Sequence, residues 1–403
     1  MFVMSDSARP AKALNTEGVG ELLQKLRDGR GRTRSELAEI TGLARSTITS
    51  RVDVLLASGL LIPAGEANSS GGRPPSRVAF NPLARIVIGV DLGATHGLVS
   101  ISDLNGNSLA NSRADIEITA GPEPILDWVV TAISELIAAS EYDANAIAGI
   151  GIGIPGPVEF SSGRPTNPPI MPGWDRFDVP AYIRRHFDVP VLVDNDVNIL
   201  ALGELTTSWP AVEDLVFVKV STGIGSGIVS GGQLQRGAQG AAGDLGHVQV
   251  PWSPGSTRDP SDERDLEAIA SGPAIARQLR EQGIDAHTSA DVVELIRAGN
   301  ATALEQTRTA GREIGEVLAT VVNLLNPSVI VIGGSIPRAS EQLIAGIREV
   351  VYRRSIPLAT QHLGIVQSRG GSLAGVLGAG ILAANHVLTP EGVAEIIAAS
   401  AEA

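Results

Sequence analysis

The sequence predicts an α/β protein: a small unit of three short helices and two strands over residues 1–80, then a two-lobed α/β body over residues 81–403. Three observations carry this. Charge divides near residue 80, with 11 Lys and Arg against 8 Asp and Glu before it and 20 against 36 after it. Ahead of that point apolar residues recur at helical spacing; beyond it they gather in short runs that end in small-residue loops. The length of 403 residues corresponds to two or three domains at roughly 150 residues each.

Composition excludes several classes. At 43% hydrophobic and 19% charged residues, with a mean hydropathy of +0.15, the chain has ample apolar surface for cores and is not a low-complexity polymer. With no cysteine it forms no disulfide and no thiolate metal site, which fits a reducing compartment. No apolar run follows a basic start in residues 1–10, and runs such as 86–90 are far too short to span a bilayer. A cytoplasmic protein without a membrane partner is expected. The net charge of −13 sits in the body, which would repel a polyanion, so nucleic-acid contact is expected only in the first eighty residues.

The elements follow in order. Residues 17–28 place Val19, Leu22, Leu23 and Leu26 on one helical face, and Gly29 and Gly31 close the helix. Thr33-Arg34-Ser35-Glu36 is a capping box that opens a second helix through Leu37, Ala38 and Ile40. Gly42 then permits the positive φ of a tight turn. Residues 45–57 form a third helix with Ile48, Val52, Leu55 and Leu56 as its buried stripe. Off that stripe lie Arg45, Ser46, Thr47, Thr49, Ser50 and Arg51, short hydroxyls and cations suited to phosphate oxygens and base edges in a major groove. Residues 60–62 and 77–80 read as two strands joined by a Gly/Ser/Pro loop. Arg73 in that loop is placed to enter a narrow A·T-rich minor groove. A helix-turn-helix followed by such a hairpin is a winged helix, read here as a DNA-binding domain rather than a merely solvated helical unit.

In the body, residues 86–90 and 98–102 are strands, residues 103–107 (DLNGN) a hairpin turn, residues 124–140 a helix and residues 146–154 (AIAGIGIGI) a buried strand. Strands at 190–193, 215–220, 227–229 and 329–332 follow, with a long helix over 302–325. Two glycine-containing loops, 91–95 (DLGAT) and 221–227 (STGIGSG), would open the two lobes and hold a polyphosphate by backbone amides. A P-loop is excluded, because the only lysines are Lys12, Lys25 and Lys219 and none has the required glycine spacing. Residues 151–156 satisfy G-x-G-x-x-G, but Pro155 and Pro157 flank the last glycine where a dinucleotide fold needs a helix start. Those glycines are expected to let another element pack closely on a central strand.

Seven motifs follow one another along the body: 89–95 (GVDLGAT), 153–157 (GIPGP), 193–198 (VDNDVN), 221–227 (STGIGSG), 243–247 (GDLGH), 266–272 (LEAIASG) and 332–334 (IGG). With them the chain, over nearly its whole length, resembles the ROK family (repressors, open reading frames, sugar kinases), in the branch that carries an N-terminal winged helix. The resemblance implies an actin-like ATPase (ribonuclease-H-like) pair of α/β lobes, the first at about 81–200 and the second at about 201–380 with C-terminal helices. It implies that Asp196 is the general base toward a sugar hydroxyl in a kinase, and that Asn195, Asp196, Asp244, His247 and Glu267 hold the sugar. Asp91, Gly93, Thr95, Thr222, Gly223, Gly225, Gly333 and Gly334 would line the nucleotide phosphates.

Three departures bear on activity. The stretch 248–266 lacks the cysteines with which many family members bind zinc, so no zinc is expected. Asp244 stands where the family has a glutamate, one methylene longer, a displacement of about 1 Å that catalytic geometry tolerates poorly. Ile170 replaces a hydroxyl-binding asparagine. The sequence therefore points to a regulator, most simply a repressor of carbohydrate-related genes, that binds operator DNA through its head, senses a sugar in its cleft and acts as a homodimer or homotetramer. The alternative is an active sugar kinase that also binds DNA, with Mg-ATP as cofactor only in that case. The 302–325 helix would serve the oligomer interface or pack on the second lobe's sheet.

Overall fold

The computed structural model describes residues 18–66, 75–251 and 264–402. Arg73 and most of the cysteine-free stretch lie outside these. The head begins with α1 (Val19–Gln24), shorter than the sequence predicts because the Lys25 and Leu26 amides bond the carbonyls three residues back. β1 (Arg32–Thr33) precedes α2 (Arg34–Thr41), whose capping box is formed: Glu36 N–H donates to Thr33 Oγ1 and Thr33 N–H to Glu36 Oε2, at 3.2 and 2.6 Å. Gly42 turns the chain at φ 70° into α3 (Arg45–Ala57). β2 (Leu61–Glu66) and β3 (Ser76–Phe80) complete the wing, and β1 adds to the far side of β3. A two-residue strand is too short to show periodicity, which is why the sequence does not predict it.

The first lobe comprises β4 (Ile86–Leu92), β5 (His96–Asp103), β6 (Ser108–Asp115), α4 (Pro122–Ala138) and β7 (Ile147–Ile154). The short pair β8 (Val158–Glu159) and β9 (Arg164–Pro165) follows, then α5 (Val179–Arg184), β10 (Val191–Asn195) and α6 (Asp196–Ser208). Its sheet runs β10-β7-β4-β5-β6, with β4, β7 and β10 parallel and the β4-β5-β6 meander antiparallel.

The second lobe repeats this plan. It holds β11 (Leu215–Val220), β12 (Ile224–Ser230), β13 (Gln233–Gln235), α7 (Leu266–Ala270), α8 (Gly272–Glu281), α9 (Ser289–Arg297) and α10 (Ala301–Leu325). β14 (Val329–Gly333), α11 (Ser335–Ala339), α12 (Gln342–Arg354), α13 (Pro357–Thr360) and β15 (Gly364–Gln367) close it. The sheet order β13-β12-β11-β14-β15 is again a meander continued by two parallel strands. α10 packs inside this lobe: a Cβ on Gly311 would lie 2.2 Å from the Leu343 carbonyl oxygen of α12.

α14 (Ala374–Val387) and α15 (Pro390–Glu402) finish the chain. Chain order groups them with the second lobe, but contact places α14 on the first sheet. A Cβ on Gly89 of β4 would lie 2.1 Å from the Val376 carbonyl oxygen, and one on Gly151 of β7 2.0 Å from that of Ala379. The glycines of the 146–154 run thus serve close packing, as the sequence suggests, and the element they admit is α14. The far end of α14 shares a core with the head, where Leu22, Leu23 and Leu26 meet Ala384, Val387, Leu388 and Ile397.

Candidate functional site

The cleft is built where β10 passes into α6. Asn195 caps that helix, its Oδ1 accepting from Val197 N–H at 2.9 Å while its amide donates to the Gly156 carbonyl at 2.7 Å. Asp196 is the first helical residue and is buried, and its Oδ2 accepts from Lys219 Nζ at 2.5 Å. Lys219 belongs to β11, so this ion pair joins the two lobes. A second pair does the same: Arg236 Nε donates to Asp194 Oδ2 at 2.7 Å, and its guanidinium stacks 3.8 Å from the Phe160 ring centroid.

Asp91 ends β4 beside this pair. Desolvation and the neighbouring Asp196 carboxylate push its pKa up to about 6, against the opposing pull of Lys219 and Arg113. A Cβ on Gly375, in the first turn of α14, would lie 2.1 Å from Asp91 Oδ2, so the carboxyl fills the space this glycine leaves. His96, which sequence reasoning missed, lays its ring over Gly93. Its pKa is lowered by burial and by the nearby Lys219 and Arg113. Thr95 is exposed at the tip of the β4–β5 turn.

The second glycine loop joins β11 to β12. Gly225 and Gly227 lie on the first turns of α6, where a Cβ would come 3.0 Å from Val197 Cγ2 and 2.6 Å from Ala201 Cβ respectively. Ser221 Oγ and Ser335 Oγ are 2.9 Å apart, which ties the start of the hairpin to the segment that follows Gly333 and Gly334; Thr222 is exposed, and a Cβ on Gly223 would lie 2.7 Å from Glu267 Oε2. Gly334, at φ 108° and against the Val220 carbonyl, tolerates no side chain. Glu267 Oε2 accepts from Ile224 N–H at 2.8 Å and so anchors the loop. His247 Nδ1 lies 3.0 Å from Asp265 Oδ2, and that bond, with the charge of Asp244, raises its pKa. Asp244 and His247 are exposed. The structure thus groups Asp91 with Asp196, the hairpin with Gly333 and Gly334, and Asp244 with His247 and Glu267. Lys219 was the residue to find: it is the only lysine beyond Lys25.

In the head, Arg45, Ser46, Thr49 and Ser50 are exposed on α3, and Thr47 is half-buried. Arg51 departs from the expected face. Its guanidinium lies against Gly18, where a Cβ would come within 2.1 Å of Nη2. Leu55, one turn on, is fully buried, so Arg51 sits on the flank of the core stripe.

The ROK family profile matches residues 87–386, three quarters of the chain and both lobes. The chain belongs to the ROK family. It is 26% identical over 370 residues to the xylose repressor of Caldicellulosiruptor bescii, covering 89% of this chain and 92% of that one. A solved ROK family transcriptional regulator, described as a homologue of the E. coli MLC protein, superposes with a TM-score of 0.79 at 24% identity, over 95% of this chain and 98% of that one. The ROK hexokinase of Thermus thermophilus superposes with a TM-score of 0.62 at 28% identity over 75% of this chain and 99% of that one.

Within this ROK frame the architecture is a winged helix-turn-helix ahead of an actin-like ATPase fold. The family spans regulators and sugar kinases. Ile170 is 40% exposed, so the loop that presents it carries an apolar side chain at its surface. That loop is anchored by the buried Trp174, whose Nε1 donates to the Ile118 carbonyl. Among the described residues no single helix is long and apolar enough to cross a membrane.

Proposed function

We propose that this chain is a sugar-responsive transcriptional repressor of carbohydrate genes: the head reads operator DNA and the cleft binds a sugar or sugar derivative. One observation carries the coupling. α14 touches the cleft at one end, where Gly375 seats the Asp91 carboxyl, and the head at the other, where Ala384 and Val387 join its core. A ligand that changes the lobe arrangement at Asp91 therefore acts on the helix that carries the head. It shifts DNA binding only as far as its affinities for the two arrangements differ. Arg45, Ser46, Thr47 and Thr49 read the major groove with Arg51 at its flank, and Arg73 is assigned to an A·T-rich minor groove on its sequence position alone. Asn195, Asp196, Asp244, His247 and Glu267 hold the sugar. The regulator works as a homodimer or homotetramer, since winged helices commonly read paired half-sites.

The test is to sequence the genomic fragments the protein retains, then titrate one of them with and without xylose, glucose and N-acetylglucosamine. Specific retardation that Arg45→Ala weakens about tenfold or more, and that one sugar alters, is the expected result. No fragment retained above background would overturn the reading. A second reading, a sugar kinase, is favoured by Asp196 and by the packing of the hairpin against Gly333 and Gly334. ADP release from Mg-ATP with a hexose, abolished by Asp196→Asn, would establish it.

A further inference from the structure

We propose that Lys219 is the resident cation of this cleft: its ammonium stands in for a divalent metal beside Asp91 and Asp196, so the cleft refuses Mg2+ and phosphoryl transfer is silent. The proposal rests on the reading of the cleft given above and not on DNA binding.

The first support is the pair itself. Lys219 Nζ reaches from β11 across the lobe boundary to Asp196 Oδ2 at 2.5 Å. The carboxylate that a kinase would use to take a proton from a sugar hydroxyl is thereby occupied. The second support is the neighbourhood. Asp91 is half-buried within electrostatic reach of both Asp196 and Lys219, and Arg113, Arg338 and His96 also face the group. A buried carboxylate and a half-buried neighbour repel unless a cation lies near them, and here the cation is part of the chain.

The third support is chemical choice. The body carries 20 basic residues and 19 of them are arginine; the one lysine sits in the cleft. An ammonium is a compact point charge with three donors, the side chain most like a small metal ion, whereas a guanidinium is planar and spread. Family kinases imply Mg-ATP, but this donor set does not fit it. Mg2+ would have to enter beside a fixed positive charge and compete with it for the same carboxylates.

The experiment titrates Mn2+ into the full chain and follows its electron paramagnetic resonance signal. The wild type, Lys219→Met, Lys219→Gln, and Lys219→Met combined with Asp91→Asn are compared, with melting curves confirming folding. The wild type is expected to bind Mn2+ no more tightly than the combined variant, whose binding reports the acidic surface. Lys219→Met or Lys219→Gln is expected to gain one site per chain, at least about tenfold tighter, that the combined variant loses. A wild-type site that removing Asp91 abolishes would overturn the proposal. So would folded Lys219→Met and Lys219→Gln proteins that gain no site, or wild-type ADP release from Mg-ATP with a hexose. Operator retardation, read on the same samples, is independent: its absence in the wild type sinks the repressor reading alone.

Discussion

At the scale of single residues, the cleft holds a carboxyl that is costly to ionise. Asp91 has a pKa of about 6 in the folded chain, against 3.8 for the unperturbed group. The folded state therefore binds more protons than the unfolded state between these values, and stability falls as pH rises through that window. Above it the cost is fully present, up to about 3 kcal/mol at roughly 1.4 kcal/mol per pKa unit. Asp91→Asn should accordingly melt higher than the wild type at pH 7.5 and at the same temperature near pH 3.5. An equal offset at both pH values would show that the group is not perturbed. The His247 pKa is also raised, but here the shift favours the charged form, through its bond to Asp265 and the charge of Asp244. Asp265→Asn should lower the His247 pKa in a titration of its ring protons by nuclear magnetic resonance, and an unmoved midpoint would contradict the pairing.

At the scale of elements, close packing decides what was legible in the sequence. Strands with apolar runs, such as β4 and β7, announce themselves, and so does the α2 capping box. β6 does not: its sequence SLANSRAD lies on a sheet edge, half-buried at alternate positions, and carries almost no apolar period. The partnership of Lys219 and Asp196 was equally hidden, because it joins a helix start to a strand of the other lobe and leaves no local spacing. The Arg51 position was readable in hindsight from its i, i+4 relation to the buried Leu55. The glycines of β4 and β7 were legible as packing residues, though not the helix they admit. Gly151→Ala, whose Cβ would lie 2.0 Å from the Ala379 carbonyl oxygen, should cost at least about 3 kcal/mol or prevent folding, through overpacking. Gly364→Ala in β15, with no neighbour nearer than 3.6 Å, should change stability by less than about 1 kcal/mol. Similar urea midpoints for the two variants would contradict the account of α14 packing.

At the scale of the whole molecule, the head is not a tethered module but part of a shared core. Besides the apolar contacts, Gln24 Nε2 donates to the Leu388 carbonyl and Arg27 Nη2 to Asn385 Oδ1, binding α1 to the end of α14. The lobes are joined by Lys219–Asp196 and Arg236–Asp194, and also by Glu204 of α6. Its fully buried carboxylate accepts from Ser368 Oγ and from the Arg369 and Gly370 amides, in the segment that leads from β15 back to α14. Lobe closure and head orientation thus meet in one helix, which gives the coupling a physical route. Couplings of this kind amount to roughly 5- to 150-fold in affinity. Weakening the joint should lower the coupling without touching either binding surface. Gln24→Ala combined with Arg27→Ala is therefore expected to leave sugar affinity by calorimetry unchanged. The ratio of operator affinities with and without sugar should move toward unity by about threefold or more. If that ratio is unaltered in a folded double variant, α1 and α14 do not transmit the signal through this joint.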